Sequence, residues 1–135
     1  MKPVKIGKDF VGDSYPAYII AEIGGNFINF KQAKRLVDSA CKAGANAVKL
    51  QTFRAETIAS RIAMYDMPNT GRVKQFDLFK RYEIDFDLHK AIWDYCREKK
   101  LFVFSTPSHV TDIELLEKLD IQAYKIGSDD ANNIP

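Results

Sequence analysis

Residues 122–130 read QAYKIGSDD, and the lysine inside this short run sets the reading of the whole chain. Successive side chains of a strand face opposite ways, so Ala123, Lys125 and Gly127 share one face while Tyr124 and Ile126 share the other. Burying an ammonium in an apolar sheet costs several kcal/mol unless something pairs with it. Lys125 therefore calls for an anion or acid at the end of its strand, where Gly127, Ser128 and two aspartates follow.

Three further strands precede it. Residues 18–25 (YIIAEIGG) are isoleucine-rich and end on two glycines, 46–51 read NAVKLQ, and 101–105 read LFVFS. Helical spacing fills the gaps. Asn29 with Gln32 makes a capping-box start for a helix carrying Ala33, Leu36, Val37, Ala40 and Cys41, stopped by Gly44. A short helix is expected over 73–82, and Asp85 caps another with Leu88, Ala91, Ile92, Tyr95 and Cys96 on its apolar face. Thr111 and Glu114 form a capping box for a last helix through Leu119. The order β-α-β-α-β-α-β implies an α/β fold of parallel strands with right-handed crossovers. Residues 1–17 are a polar lead-in, with a small hairpin expected among 1–16, and the long connection over 52–71 has turn chemistry at 67–71 (MPNTG).

The 135 residues amount to one domain with room for a core. A net charge of +2 without a basic run gives no footprint for nucleic acid or a membrane surface. Cys41 and Cys96 lie on helical stripes without metal-ligand spacing and read as reduced packing residues. Lys5, Lys8 and Asp9 stand where a secretion signal needs an apolar core, and no run reaches membrane-spanning length, so the cytoplasm is expected.

Strand parity gives Lys125 companions. Glu22 lies near the end of the first strand, Lys49 and Gln51 share a face of the second, and Thr106 follows the third. Carboxyl ends of parallel strands are where α/β folds build their sites. Glu22, Lys49 and Lys125, with Gln51, Thr106 and Ser128, read as a polar cavity for a small phosphate or carboxylate ligand. The alternative is a mutually neutralising buried network, which two lysines against one glutamate make the weaker reading. His89 reads as a surface residue, and His109 as a capping or solvated one in a strand-to-helix loop. Gly24-Gly25 is a turn without the dinucleotide pattern, and Phe76, Phe79 and Tyr82 fall at helical packing intervals.

The stretches AEIGGN (21–26), GANAVKLQT (44–52), FKRYEI (79–84) with His89 following, STP (105–107), AYKIGS (123–128) and NNIP (132–135) together resemble the N-terminal half of the sialic acid synthase family, the phosphoenolpyruvate-condensing nonulosonate synthases. The resemblance implies about the first four units of a (β/α)8 barrel, a half-barrel whose family continues through the closed barrel and often a small antifreeze-like domain. It implies condensation of phosphoenolpyruvate with an N-acetylated amino sugar such as N-acetylmannosamine, releasing phosphate. It also implies a divalent metal, manganese or magnesium, whose histidine ligands come from later strands than these. Carried over by position, Lys49, Thr106, Lys125 and Ser128, with Gln51 alongside, resemble the phosphoenolpyruvate pocket. Glu22 resembles the acid near the reacting carbons, and Asp130 stands in the family's S-G-E/D motif. Two departures are Asp129, where the family has Gly, and Phe27, where a histidine commonly follows the AEIGxN asparagine.

Four units cannot close an eight-stranded barrel. The expectation is that the chain pairs with another copy or belongs to a longer polypeptide, and that alone it does not catalyse the condensation. Two rivals are a Schiff-base aldolase using Lys49 or Lys125 as nucleophile, and a non-catalytic half-barrel that binds an anion or a partner chain.

Overall fold

Residues 47–52 set the architecture, because their pattern of burial divides one strand between two environments. Ala47, Val48, Leu50 and Thr52 are buried, Lys49 is half-buried and Gln51 is exposed. In the computed structural model, which describes residues 2–132, this is strand β4 (Ala47–Thr52), the centre of a three-stranded parallel sheet. The preceding strands are β1 (Val4–Ile6), β2 (Asp9–Val11) and β3 (Ile20–Glu22), and helix α1 (Phe30–Lys42) lies between β3 and β4. After β4 come α2 (Ala55–Ile58), β5 (Met64–Met67), β6 (Gly71–Lys74), α3 (Gln75–Tyr82), α4 (Phe86–Glu98), β7 (Phe102–Pro107) and α5 (Val110–Glu117). The sheet order is β3-β4-β7, with Glu22 opposite Lys49 and Gln51 opposite Thr106.

Val48 and Leu50 of β4 and Val103 of β7 turn toward the helices. They join Val37 and Ala40 of α1, Ile92, Trp93 and Cys96 of α4, and Leu116 of α5 in one core. Each fully buried aliphatic side chain contributes about 1.5–3 kcal/mol. Two helix starts follow the sequence. Asn29 Oδ1 accepts from the Gln32 N–H at 3.0 Å, and Asp85 Oδ1 from the Leu88 N–H at 2.8 Å. The Gln32 side chain reaches back one residue further than a capping box requires, accepting from the Ile28 N–H at 2.9 Å. The Tyr95 hydroxyl then ties α4 to α1 through Asp38, at 2.5 Å.

The lead-in forms the antiparallel hairpin β1–β2. Its turn packs on the sheet so closely that a Cβ on Gly7, already at φ +59°, would stand 2.7 Å from the Phe102 ring. Asn46 locks this end, donating to Asp9 Oδ2 at 3.2 Å and accepting from the Ile19 N–H at 2.8 Å. No helix among the described residues is long and apolar enough to cross a membrane.

Three expectations change. Residues 122–130 do not form a strand: a single parallel bridge joins Tyr124 to Ser105, and the chain then turns at Gly127. Gly127 and the Asp129–Asp130 pair favour a turn over continued pairing. Residues 73–74 belong to β6, so the helix begins only at Gln75. The cap of α5 is His109, whose Nδ1 accepts from the Thr111 N–H at 3.3 Å, so the Thr111–Glu114 box is not used. Residues 133–135, the end of the NNIP stretch, lie outside the described residues.

Candidate functional site

At the carboxyl ends of β4 and β7 lies a cavity of about 640 Å³, and strand parity decides what faces it. Lys49 and Gln51 project from β4 on the side away from the helices, and Thr106 does so from β7. The Lys49 ammonium donates to Thr106 Oγ1 at 3.4 Å and is ion-paired with Glu22. Glu22 is fixed at its other oxygen, where Oε1 accepts from the Gly24 N–H at 2.8 Å. This loop passes so close to β4 that a Cβ on Gly24 would meet the Gln51 backbone nitrogen at 2.5 Å, so only glycine fits there.

Lys125 reaches the same cavity without a strand. Its N–H donates to the Ser105 carbonyl at 3.0 Å, while the Tyr124 hydroxyl bonds to Glu117 of α5. The turn that follows is closed by the Asp130 and Ala131 N–H groups on the Gly127 carbonyl, at 3.2 and 3.0 Å, and brings Asp129 and Asp130 to the cavity wall. Burial, and after it the like charge of Lys125, hold the Lys49 ammonium below the ordinary lysine range. The two ammonium groups thus sense one another across the space they line. That arrangement suits a ligand with more than one negative group.

Of the residues singled out in the sequence, Lys49, Gln51, Thr106, Lys125, Asp129 and Asp130 line the cavity together, and His109, the cap of α5, reaches it as well. Glu22 stands behind Lys49 as its ion-pair partner. Ser128 is exposed on the turn and is not part of the wall. Phe27 is buried in the core and does not line the cavity. Among the described residues, no three His, Cys, Asp or Glu side chains form a metal-ligand set. These residues by themselves do not fit a divalent ion.

The opposite wall was not foreseen. Phe53, Tyr65, Gln75 and Phe79 line it. The Phe53 and Phe79 rings meet edge to face at 5.2 Å, and Tyr65 lies 6.3 Å from Phe79. Gln75 holds the β5–β6 hairpin here, donating to the Tyr65 hydroxyl at 2.8 Å and accepting from the Ser60 N–H at 2.8 Å. Behind it, Glu83 anchors α2 by accepting from the Ala55 N–H at 2.9 Å. A turn-rich connection of this length is a signal for functional placement, but nothing local reveals that it folds back over the strand ends.

His89 corrects the sequence reading outright. It is fully buried, on the inner side of α4, and desolvation pushes its imidazole down to about 4. Nε2 lies 3.0 Å from Thr52 Oγ1, which lies 2.7 Å from Ser105 Oγ, and Nδ1 lies 2.8 Å from the Asp85 carbonyl. Lys90 beside it is exposed, but the spacing of His89 to Ile92, Trp93 and Cys96 is the signal that places it inward.

The NeuB family model matches residues 36–135. The chain belongs to the NeuB family. It is 34% identical over 137 residues to the spore coat polysaccharide biosynthesis protein SpsE of Bacillus subtilis, covering 100% of this chain and 37% of that protein. It is 32% identical over 131 residues to the N-acetylneuraminate-9-phosphate synthase of Mus musculus, covering 93% of this chain and 36% of that protein. Pseudaminic acid and N,N'-diacetyllegionaminic acid synthases of Campylobacter jejuni are also relatives. The fold is similar to the crystal structure of the sialic acid synthetase of Leptospira borgpetersenii solved in complex with citrate. There the TM-score is 0.80 and the identity 26%, over 98% of this chain and 43% of that one. This NeuB-family chain thus spans little more than a third of the length of the curated relatives it matches. Its parallel β/α units correspond to part of the larger sialic acid synthase barrel.

Proposed function

We propose that this chain supplies the phosphoenolpyruvate side of a nonulosonic acid synthase site, in which phosphoenolpyruvate condenses with an N-acetylated amino sugar such as N-acetylmannosamine and phosphate is released. The observation that carries this reading is the convergence of Lys49, Lys125, Thr106 and Gln51 on one cavity at the strand ends. Two ammonium groups match the phosphate and carboxylate of the enol ester, and the hydroxyl and amide fix its orientation.

In the condensation, the methylene carbon of phosphoenolpyruvate bonds to the aldehyde carbon of the open-chain sugar. Water adds to the carbon bearing the phosphoryl oxygen, and the tetrahedral adduct expels phosphate. In this reading Glu22, ion-paired with Lys49, and Asp130, at the cavity wall, orient that water and receive its proton. Lys49 and Lys125 counter the charge of the departing phosphate. A divalent metal would supply Lewis-acid activation of the sugar aldehyde, and the resemblance assigns its histidine ligands to later strands than these, so none of these steps runs through it. The 135-residue chain alone binds the anion without completing the reaction.

Titration calorimetry of phosphoenolpyruvate into the chain and into Lys125→Ala tests the reading. Saturable binding that disappears in the variant, with its circular dichroism spectrum intact, is expected. Unchanged affinity in Lys125→Ala refutes the pocket. A Schiff-base reading draws on the depressed Lys49 ammonium, and borohydride trapping of a pyruvate adduct at Lys49 decides in its favour.

A further inference from the structure

We propose that His89, acting through Thr52 and Ser105, is a positioning residue that sets the height at which Lys125 enters the anion cavity. The inference rests on the proposed anion pocket for its ligand and on hydrogen-bond direction for its mechanism.

The direction follows from what each group can do. The Asp85 carbonyl only accepts, so the His89 nitrogen 2.8 Å away, Nδ1, carries the hydrogen. A fully buried ring is neutral, which leaves Nε2 bare and able only to accept. Thr52 must then donate its hydroxyl hydrogen to Nε2 across 3.0 Å. Having spent its one hydrogen, Thr52 Oγ1 accepts from the Ser105 hydroxyl at 2.7 Å. The relay runs one way, Ser105 to Thr52 to His89 to Asp85, and each hydroxyl hydrogen in it has a single acceptor.

Its end is where the site begins. Thr52 is the last residue of β4, and Ser105 lies in β7 one residue before Thr106. The relay therefore clamps the carboxyl ends of both strands from the helix side, while Gln51 and Thr106 point to the cavity from the other. Ser105 also carries Lys125: its carbonyl accepts the Lys125 N–H at 3.0 Å, in the isolated bridge that joins Ser105 to Tyr124. With only an isolated bridge on that side, Lys125 follows Ser105, whose backbone the β4–β7 ladder holds and whose side chain the relay holds.

Amide hydrogen exchange and phosphoenolpyruvate calorimetry on the chain carrying Thr52→Val or Thr52→Ser test this. Valine keeps the shape and removes the hydroxyl; serine restores it. In Thr52→Val the Lys125 amide is expected to exchange about tenfold faster while the β3–β4 ladder is unchanged, with phosphoenolpyruvate binding weakened to a similar degree. Thr52→Ser is expected to recover both. Ser105→Ala, which removes only the last donor, should show the same selective loss if Thr52→Val does not fold. Nitrogen-15 spectra of His89 should show the hydrogen on Nδ1. The proposal is overturned by an Nε2–H tautomer, by unchanged Lys125 exchange, by acceleration spread evenly over the β3–β4 ladder, or by failure of Thr52→Ser to restore what valine loses. If the unmodified chain binds no phosphoenolpyruvate yet the exchange pattern holds, the ligand reading falls and the positioning role stands.

Discussion

Glu22 and Lys49 face each other directly across the β3–β4 ladder, and their charged groups form an ion pair behind the cavity wall that Lys49 lines. The Glu22 side chain is 40% exposed while that of Lys49 is 15% exposed, so the two members contribute unequally. Glu22→Gln is expected to change folding stability by less than about 1 kcal/mol, because solvent screens the carboxylate. The same substitution removes a negative charge beside the anion site, and phosphoenolpyruvate should bind about fivefold more tightly. Urea denaturation and calorimetry measure the two effects separately, and weaker binding would count against an anion seated on Lys49.

Acid should destabilise the fold through His89. Its imidazole lies at about 4 in the folded chain against an ordinary 6.5, because burial disfavours the charged ring. The unfolded state therefore binds more protons between these values. The stabilisation is complete above the higher one and is lost as pH falls toward the lower, by as much as roughly 3 kcal/mol. Following the imidazole by NMR on acidification should show it still neutral at about pH 5.5; titration near the ordinary value would remove His89 from the interior.

Helix α4 ends on a residue that its backbone does not suit. Lys100 has φ +57° where the Leu101 N–H returns to the Cys96 carbonyl at 2.9 Å, the same closure that Gly44 makes after α1 at φ +76°. A side chain in the left-handed region costs about 1 kcal/mol. Lys100→Gly should recover most of it and raise the melting temperature, and a lower one would show that the lysine side chain has a compensating contact.

One side of β3 is unpaired among the described residues, with Ile19 and Ile20 about half exposed. An open apolar strand edge is a template for pairing. Sedimentation at micromolar concentration should therefore reveal self-association of the chain, and a clean monomer would argue against it.

How much the sequence disclosed depended on the range of the forces involved. Alternation along AVKLQT is a local signal, and it puts Lys49 and Gln51 on the face that the fold uses. The caps at Asn29 and Asp85 were equally local. Residues 122–130 have a strand's pattern but form none, because pairing needs a neighbour as well, and among the described residues only Ser105 bridges to them. His89 reads as exposed beside the solvated Lys90, whereas the hydroxyls that receive its imidazole come from two distant strands. The aromatic wall depended on a hairpin folding back, which no single window of sequence contains.

The division of β4 between two environments also bears on how such a chain can diversify. Val48, Leu50 and Thr52 answer to the helices, and Lys49 and Gln51 to the cavity, though they alternate along the same six residues. A library randomised at 49 and 51 would explore ligand chemistry on an unaltered scaffold, whereas one randomised at 48 and 50 would sample scaffolds with the same chemistry. Adaptation to a new substrate is thereby separated from tolerance of mutation within a single strand.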